Sequence, residues 1–118
     1  MLLISLPIYP FQQQQKAAYA ALKWNLPEKF KEIINSQNLN VNIKLSTEFD
    51  SEIRSTFLHR AVVLNRVQCV AFLLSKGASV NATDEENCMP LDEAAFSGSI
   101  ECATLLINRW CNYWARNN

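Results

Sequence analysis

The chain is poor in the residues that most catalytic and cofactor sites need. Among 118 residues there are two glycines, Gly77 and Gly98, which leaves no material for a phosphate-cradling loop. One histidine, His59, makes histidine-based metal or acid–base chemistry hard to assemble. Neither sign of charge is in excess. Eleven basic and eleven acidic residues cancel, so no global field draws in nucleic acid or an anionic membrane. No segment approaches the roughly 20 apolar residues that span a bilayer. Met1–Leu6 has no basic flank and is stopped by Pro7, so it does not read as a secretory leader. These absences argue against most enzymes and place the chain inside cells: cytoplasmic, or delivered into a host cytoplasm if it is a microbial effector.

What is present is a globular balance, with 49% hydrophobic and 19% charged residues. A chain of this size is expected to form one domain, residues 1–118, with a modest core. The four cysteines, Cys69, Cys88, Cys102 and Cys111, contain no C-x-x-C pair and read as reduced thiols packed mostly as small apolar side chains.

An internal period organises the chain. A shift of 33 positions sets Glu52 on Glu85, Leu58 on Leu91, Ala61 on Ala94, Cys69 on Cys102 and Leu73 on Leu106. Conservative pairs such as Val67/Ile100 and Phe72/Leu105 fall between them. A degenerate upstream copy carries Val41-Asn42 against Val80-Asn81. It has a helix from Pro27 through Phe30, Ile33 and Ile34, with Asn25 as its candidate cap, and a partner helix over 12–24 with Ala18, Tyr19 and Leu22 inward. About six residues beyond the period, within Lys44–Asp50, read as an inserted finger loop. The resulting repeats are about 12–50, 51–83 and 84–118.

Thr56-Phe-Leu-His-Arg-Ala61, Met89-Pro-Leu-Asp-Glu-Ala-Ala95 and Gly77-Ala-Ser-Val-Asn-Ala82 resemble the ankyrin repeat. The likeness covers about residues 51–109. It departs from the family pattern at Phe57 for proline, Met89 for threonine and Asp92 for histidine. Local chemistry agrees with it. Pro90 suits a first helical turn, where its missing N–H is no loss, and Gly77 follows an apolar run where a left-handed stop is wanted. In the last copy Trp110 replaces that glycine, so the helix from Ile100 is expected to continue towards Tyr113 or Trp114.

The resemblance implies an all-α solenoid of helix-turn-helix units that binds a partner protein and has no enzymatic activity or cofactor. In the family, partners meet the hairpin tips and the inner face of the first helices, which form a concave groove. Carried over, those positions are Glu52, Ile53, Ser55, Val63 and Leu64 in the middle repeat. In the last repeat they are Glu85, Glu86, Cys88, Phe96 and Ser97, and in the first Trp24 and Asn25. Trp24, Val63, Leu64 and Phe96 would form an apolar stripe, unless Trp24 belongs to the core. Glu48, Asp50, Glu52, Asp84, Glu85 and Glu86 would add an acidic rim that suits a partner with basic flanks. Adaptor, inhibitor and small effector are the roles open to such a module.

Four features compete with that reading. His59 beside a cysteine suggests a nucleophile, but no third member orients it, and the resemblance makes it the structural histidine that bonds across the turn. Cys88, near a hairpin tip, is the thiol most open to a redox role. The Asp84-Glu85-Glu86 cluster lacks calcium-loop spacing and reads as a solvated turn. The aromatic C-terminus, with Trp110, Tyr113 and Trp114, either caps the last helix pair or forms the seam of a self-associating homodimer.

Overall fold

The computed structural model describes the backbone of residues 10–45 and 55–117, with side chains over 14–45 and 55–111. Among the described residues six helices follow one another: α1 (Pro10–Lys23), α2 (Pro27–Gln37), α3 (Phe57–Val63), α4 (Val67–Ser75), α5 (Pro90–Ser97) and α6 (Ile100–Asn117). They pair as α1 with α2, α3 with α4 and α5 with α6. α3 packs on both α1 and α5, and α4 on both α2 and α6. This is the all-α stack of hairpins that the sequence resemblance implies.

One turn chemistry builds every hairpin. The first helix of each pair ends at a residue with left-handed backbone, Asn25 (φ 58°), Asn65 (φ 58°) or Gly98 (φ 70°). The next N–H then reaches back into the finished helix: Leu26 to Ala21 at 2.8 Å, Arg66 to Ala61 at 2.8 Å, Ser99 to Ala94 at 3.0 Å. Glycine accepts positive φ without penalty, and asparagine tolerates it better than other side chains. Asn25 is therefore a terminator of α1. The sequence reading made it a cap for α2, whose N-cap is instead Leu26 with no side-chain bond. The second helices end the same way, at Asn38 (φ 50°) and Gly77 (φ 92°).

Ala21, Ala61 and Ala94 are all buried. Around them Leu22, Phe30, Ile34, Leu58, Val62, Val70, Leu73 and Leu106 form one continuous core. Phe30 meets Phe57 edge-on with ring centroids 5.7 Å apart, and Phe72 at 6.1 Å, so the first two helix pairs share an aromatic cluster. Each such contact is worth about 0.5–1.5 kcal/mol beyond burial.

Polar bonds repeat across the same boundary. Asn42 donates from Nδ2 to the Gly77 carbonyl at 3.2 Å and accepts the Ser79 N–H at 2.8 Å, joining two successive loops. Arg66 donates to the carbonyls of Leu22 at 2.6 Å and Lys23 at 2.9 Å, at the C-terminus of α1. There a cation also suits the helix dipole. The base of the expected finger loop is closed by the Leu45 N–H on the Ser55 carbonyl at 2.7 Å, beside an antiparallel bridge between Lys44 and Thr56. Residues 46–54, including Glu48, Asp50, Glu52 and Ile53, lie outside the described residues.

α6 runs through the Trp110 position to Asn117, 18 residues against nine in α4. The expected extension is there and reaches three residues beyond Trp114.

Candidate functional site

The hairpin tip before α5 is held by side chains that the sequence reading assigned to solvent. Asp84 is buried, and its Oδ1 accepts the N–H groups of Glu86 at 2.8 Å and Cys88 at 3.0 Å. A carboxylate facing several backbone donors fixes a tip; only Glu85 and Glu86 of the acidic trio stand in water. Their signal in the sequence, three adjacent acids, gave no hint that one of them points inward.

His59 has the structural role that the resemblance implies. It is fully buried, and its Nε2 lies 2.8 Å from the carbonyl oxygen of Cys88. A carbonyl can only accept, so Nε2 carries the proton and Nδ1 is the acceptor. Nδ1 takes the Thr56 hydroxyl at 2.8 Å, and the Thr56 N–H lies 3.3 Å away. Burial lowers the His59 pKa, with the Cys88 carbonyl and Asp84 opposing. Both ring nitrogens are occupied by the fold, so none is left for a nucleophile.

The thiols follow suit. Cys69 and Cys102 are buried, Cys88 is half-buried and Cys111 is exposed. Desolvation, then the carboxylates of Asp84, Asp92, Glu93 and Glu86, push the Cys88 thiol up, away from a reactive thiolate. Among the described residues no group of three or more His, Cys, Asp or Glu could hold a metal ion.

The turn residues Asn25, Asn65 and Gly98 set the correspondence between helix pairs. Counting back from each, Lys23, Val63 and Phe96 share one position, and Trp24, Leu64 and Ser97 share the next. The expected stripe of Trp24, Val63, Leu64 and Phe96 therefore belongs to two adjacent rows. Trp24 is 70% exposed and Phe96 80%, while Val63 is borderline at 37%. Trp24 is a surface residue and not part of the core. Leu64 is half-buried and packs against the core, and Ser97 is exposed but turned to the Glu93 carbonyl at 2.8 Å. Ser55, expected on the groove, is not there: only 4% exposed, it is enclosed at the base of the loop and has no surface to offer.

Leu26 and Ile100 are also exposed at these turns, at 51% and 79%. The sequence reading missed both, because each sits where the repeat pattern has an inward apolar residue or no preference. One row nearer the tips lie Ala20, Arg60 and Glu93. The Arg60 guanidinium lies over the Tyr19 ring at 5.7 Å and donates to its hydroxyl at 3.3 Å. Burial raises the Glu93 pKa, helped by Asp84, Asp92 and Glu86 and opposed by Arg60. An acidic end thus adjoins Phe96, a basic residue adjoins Val63, and the exposed Lys23 lies next to Trp24 in the chain.

Comparison with known proteins fits this geometry. The family described as ankyrin repeats (many copies) matches residues 58–107. Human Ankyrin repeat and SOCS box protein 3 is 45% identical over 42 residues, 36% of this chain and 8% of that protein. Human Transient receptor potential cation channel subfamily A member 1 is 29% identical over 80 residues, 68% of this chain and 7% of that one. The chain thus spans less than a tenth of the length of these curated relatives. The crystal structure of the human ASB11 ankyrin repeat domain superposes with a TM-score of 0.65 at 28% identity, covering 78% of this chain and 38% of the other. No helix among the described residues is long and apolar enough to cross a membrane.

Proposed function

As this chain belongs to the ankyrin-repeat family, whose members are generally non-enzymatic protein-interaction modules, we propose that it binds a partner protein across the exposed ends of α1, α3 and α5. The observation that carries this is the pair of large aromatics, Trp24 and Phe96, at 70% and 80% exposure on neighbouring rows of the first and last helix pairs. Large aromatic side chains left in water on neighbouring rows of one surface cost solubility until something covers them, and they are the type that dominates interface energy. Glu85, Glu86 and Glu93 give the α5 end a negative border. A partner with apolar anchors and basic residues over that end suits it, the charges acting mainly on encounter rate and selectivity. With these features the protein acts by occupying a partner's surface, as an adaptor, inhibitor or small effector in the cytoplasm of its own cell or of a host. The three-repeat division at about 12–50, 51–83 and 84–118 is part of the same proposal.

Affinity capture with the wild type and a Trp24→Ser/Phe96→Ser variant tests it. Both residues are exposed, so the fold should survive. Truncating an anchor costs about 2 kcal/mol, roughly thirtyfold in affinity. Selective loss of the captured protein is expected. An identical capture profile from both forms counts against the surface.

A further inference from the structure

We propose that Arg60 receives a carboxylate of the partner protein, an aspartate or glutamate seated over α3 between the two aromatic anchors. The pairing rests on the reading that a partner spans the exposed ends of α1, α3 and α5, and it specifies what that partner brings to the middle of the span. Arg60 leaves α3 one turn before Val63, so both lie on the same side of the helix. Its guanidinium reaches across to α1, where it lies 5.7 Å from the Tyr19 ring centre and an Nη2 N–H donates to the Tyr19 hydroxyl at 3.3 Å. Tyr19 is itself buried, so the ring beneath the cation is anchored in the core. Stacking and the hydrogen bond hold the fork in place before a partner arrives, and a preorganised group loses less entropy on binding.

No acid balances this cation. Among the described residues Arg60 forms no ion pair. The side chain is half-buried, and its Nε is shut off from water without an acceptor. A charge partly withdrawn from water and left without a counter-charge is costly. The same surroundings strengthen a hydrogen-bonded pair once a carboxylate arrives.

Charge selects the occupant. The row through Arg60 carries Ala20 on α1 and Glu93 on α5, so it runs neutral, cationic, anionic along the stack. Glu93 feels the Arg60 charge but makes no ion pair with it. A partner with an acid over α3 and a basic residue over α5, about 10 Å apart as neighbouring packed helices are, meets both charges favourably. The reverse order meets two repulsions. One carboxylate also matches one guanidinium, whereas a phosphate carries up to two charges and turns the excess towards Glu93.

Selection of a displayed library of random linear peptides on the immobilised chain tests the proposal. The wild type should enrich Asp or Glu at one fixed position among apolar residues. Arg60→Glu should enrich Lys or Arg at that position instead, and Arg60→Gln should show no charge preference there; thermal melts check that both variants fold. In a selected peptide, changing the acid to its amide should weaken binding to the wild type about tenfold or more by fluorescence anisotropy, the range of a charge-assisted pair. On Arg60→Gln the same change should have no effect, and phosphoserine in place of the acid should bind the wild type less tightly. A library without binders, binders without a fixed acid, the same acid selected by Arg60→Glu, or tighter binding of the phosphoserine peptide overturns the proposal. The Trp24→Ser/Phe96→Ser variant separates the two readings. Peptides that need Arg60 but bind this variant unchanged refute the wider surface and keep the pairing; peptides that need the aromatics but not Arg60 refute the pairing alone.

Discussion

The imidazole Nε2 of His59 donates to the main-chain oxygen of Cys88 at 2.8 Å, so a side chain of α3 holds the backbone that leads into α5. The two residues are 29 apart in sequence, and the same carbonyl also accepts the Asp84 N–H at 3.0 Å. One buried ring thereby joins a helix cap to the neighbouring hairpin tip.

The stack should therefore be sensitive to mild acid. Burial depresses the His59 pKa below 6.5. Between that depressed value and 6.5 the unfolded chain holds more protons than the folded one, so stability rises with pH across this window. The contribution is complete above 6.5 and is lost as pH falls towards the folded value. Urea unfolding followed between neutral and mildly acidic pH should show the decline, and His59→Gln should flatten it. At neutral pH His59→Ala should cost about 1–3 kcal/mol, because the Cys88 carbonyl loses a partner.

Arg66 should be worth more than its partial exposure suggests. It closes two carbonyls at the end of α1, Leu22 and Lys23, from the neighbouring helix pair. Replacing it by alanine should destabilise by about 1–3 kcal/mol, the range of a charge-assisted bond. Lysine keeps the charge but cannot span both oxygens, so partial recovery in a thermal melt is expected. Full recovery by lysine would reduce the effect to electrostatics.

The turn residues separate backbone from packing. A Cβ at Gly98 would meet nothing within 4 Å, so Gly98→Ala is opposed by its φ of 70° alone. A loss of about 1–2 kcal/mol is expected. Asn65→Gly should be neutral or stabilising at the same kind of site, and Asn65→Val clearly destabilising. Denaturant midpoints of the three variants give the ranking directly.

Thiol accessibility should divide the cysteines into two classes. Cys111 is exposed and should react with a disulfide reagent in the native protein, with Cys88 slower because its thiol is pushed up. Cys69 and Cys102 should react only on unfolding. Cys88→Ser should leave partner capture unchanged; a loss would revive a thiol-based role.

Much of the stack was legible in advance because hydrophobic burial and turn chemistry act locally. The period linking Cys69 to Cys102 and Leu73 to Leu106 marked the buried side of α4 and α6, and both pairs are buried. Ala18, Tyr19 and Leu22 face inward in α1 as their spacing predicts. Residues whose environment is supplied by another helix pair were harder to read. Ser55 resembled a groove residue yet is sealed by a chain segment ten positions upstream, and Asp84 looked solvated until the tip folded onto its carboxylate.

Sequence alone determined the helical hairpins, their order and their apolar faces, since these follow from spacing within about 33 residues. Tertiary packing decided which of those apolar residues remain in water. Position along the stack has no local signature: Val62 and Ala95 occupy the same place in successive copies, yet Val62 is buried beside α5 and Ala95 is exposed.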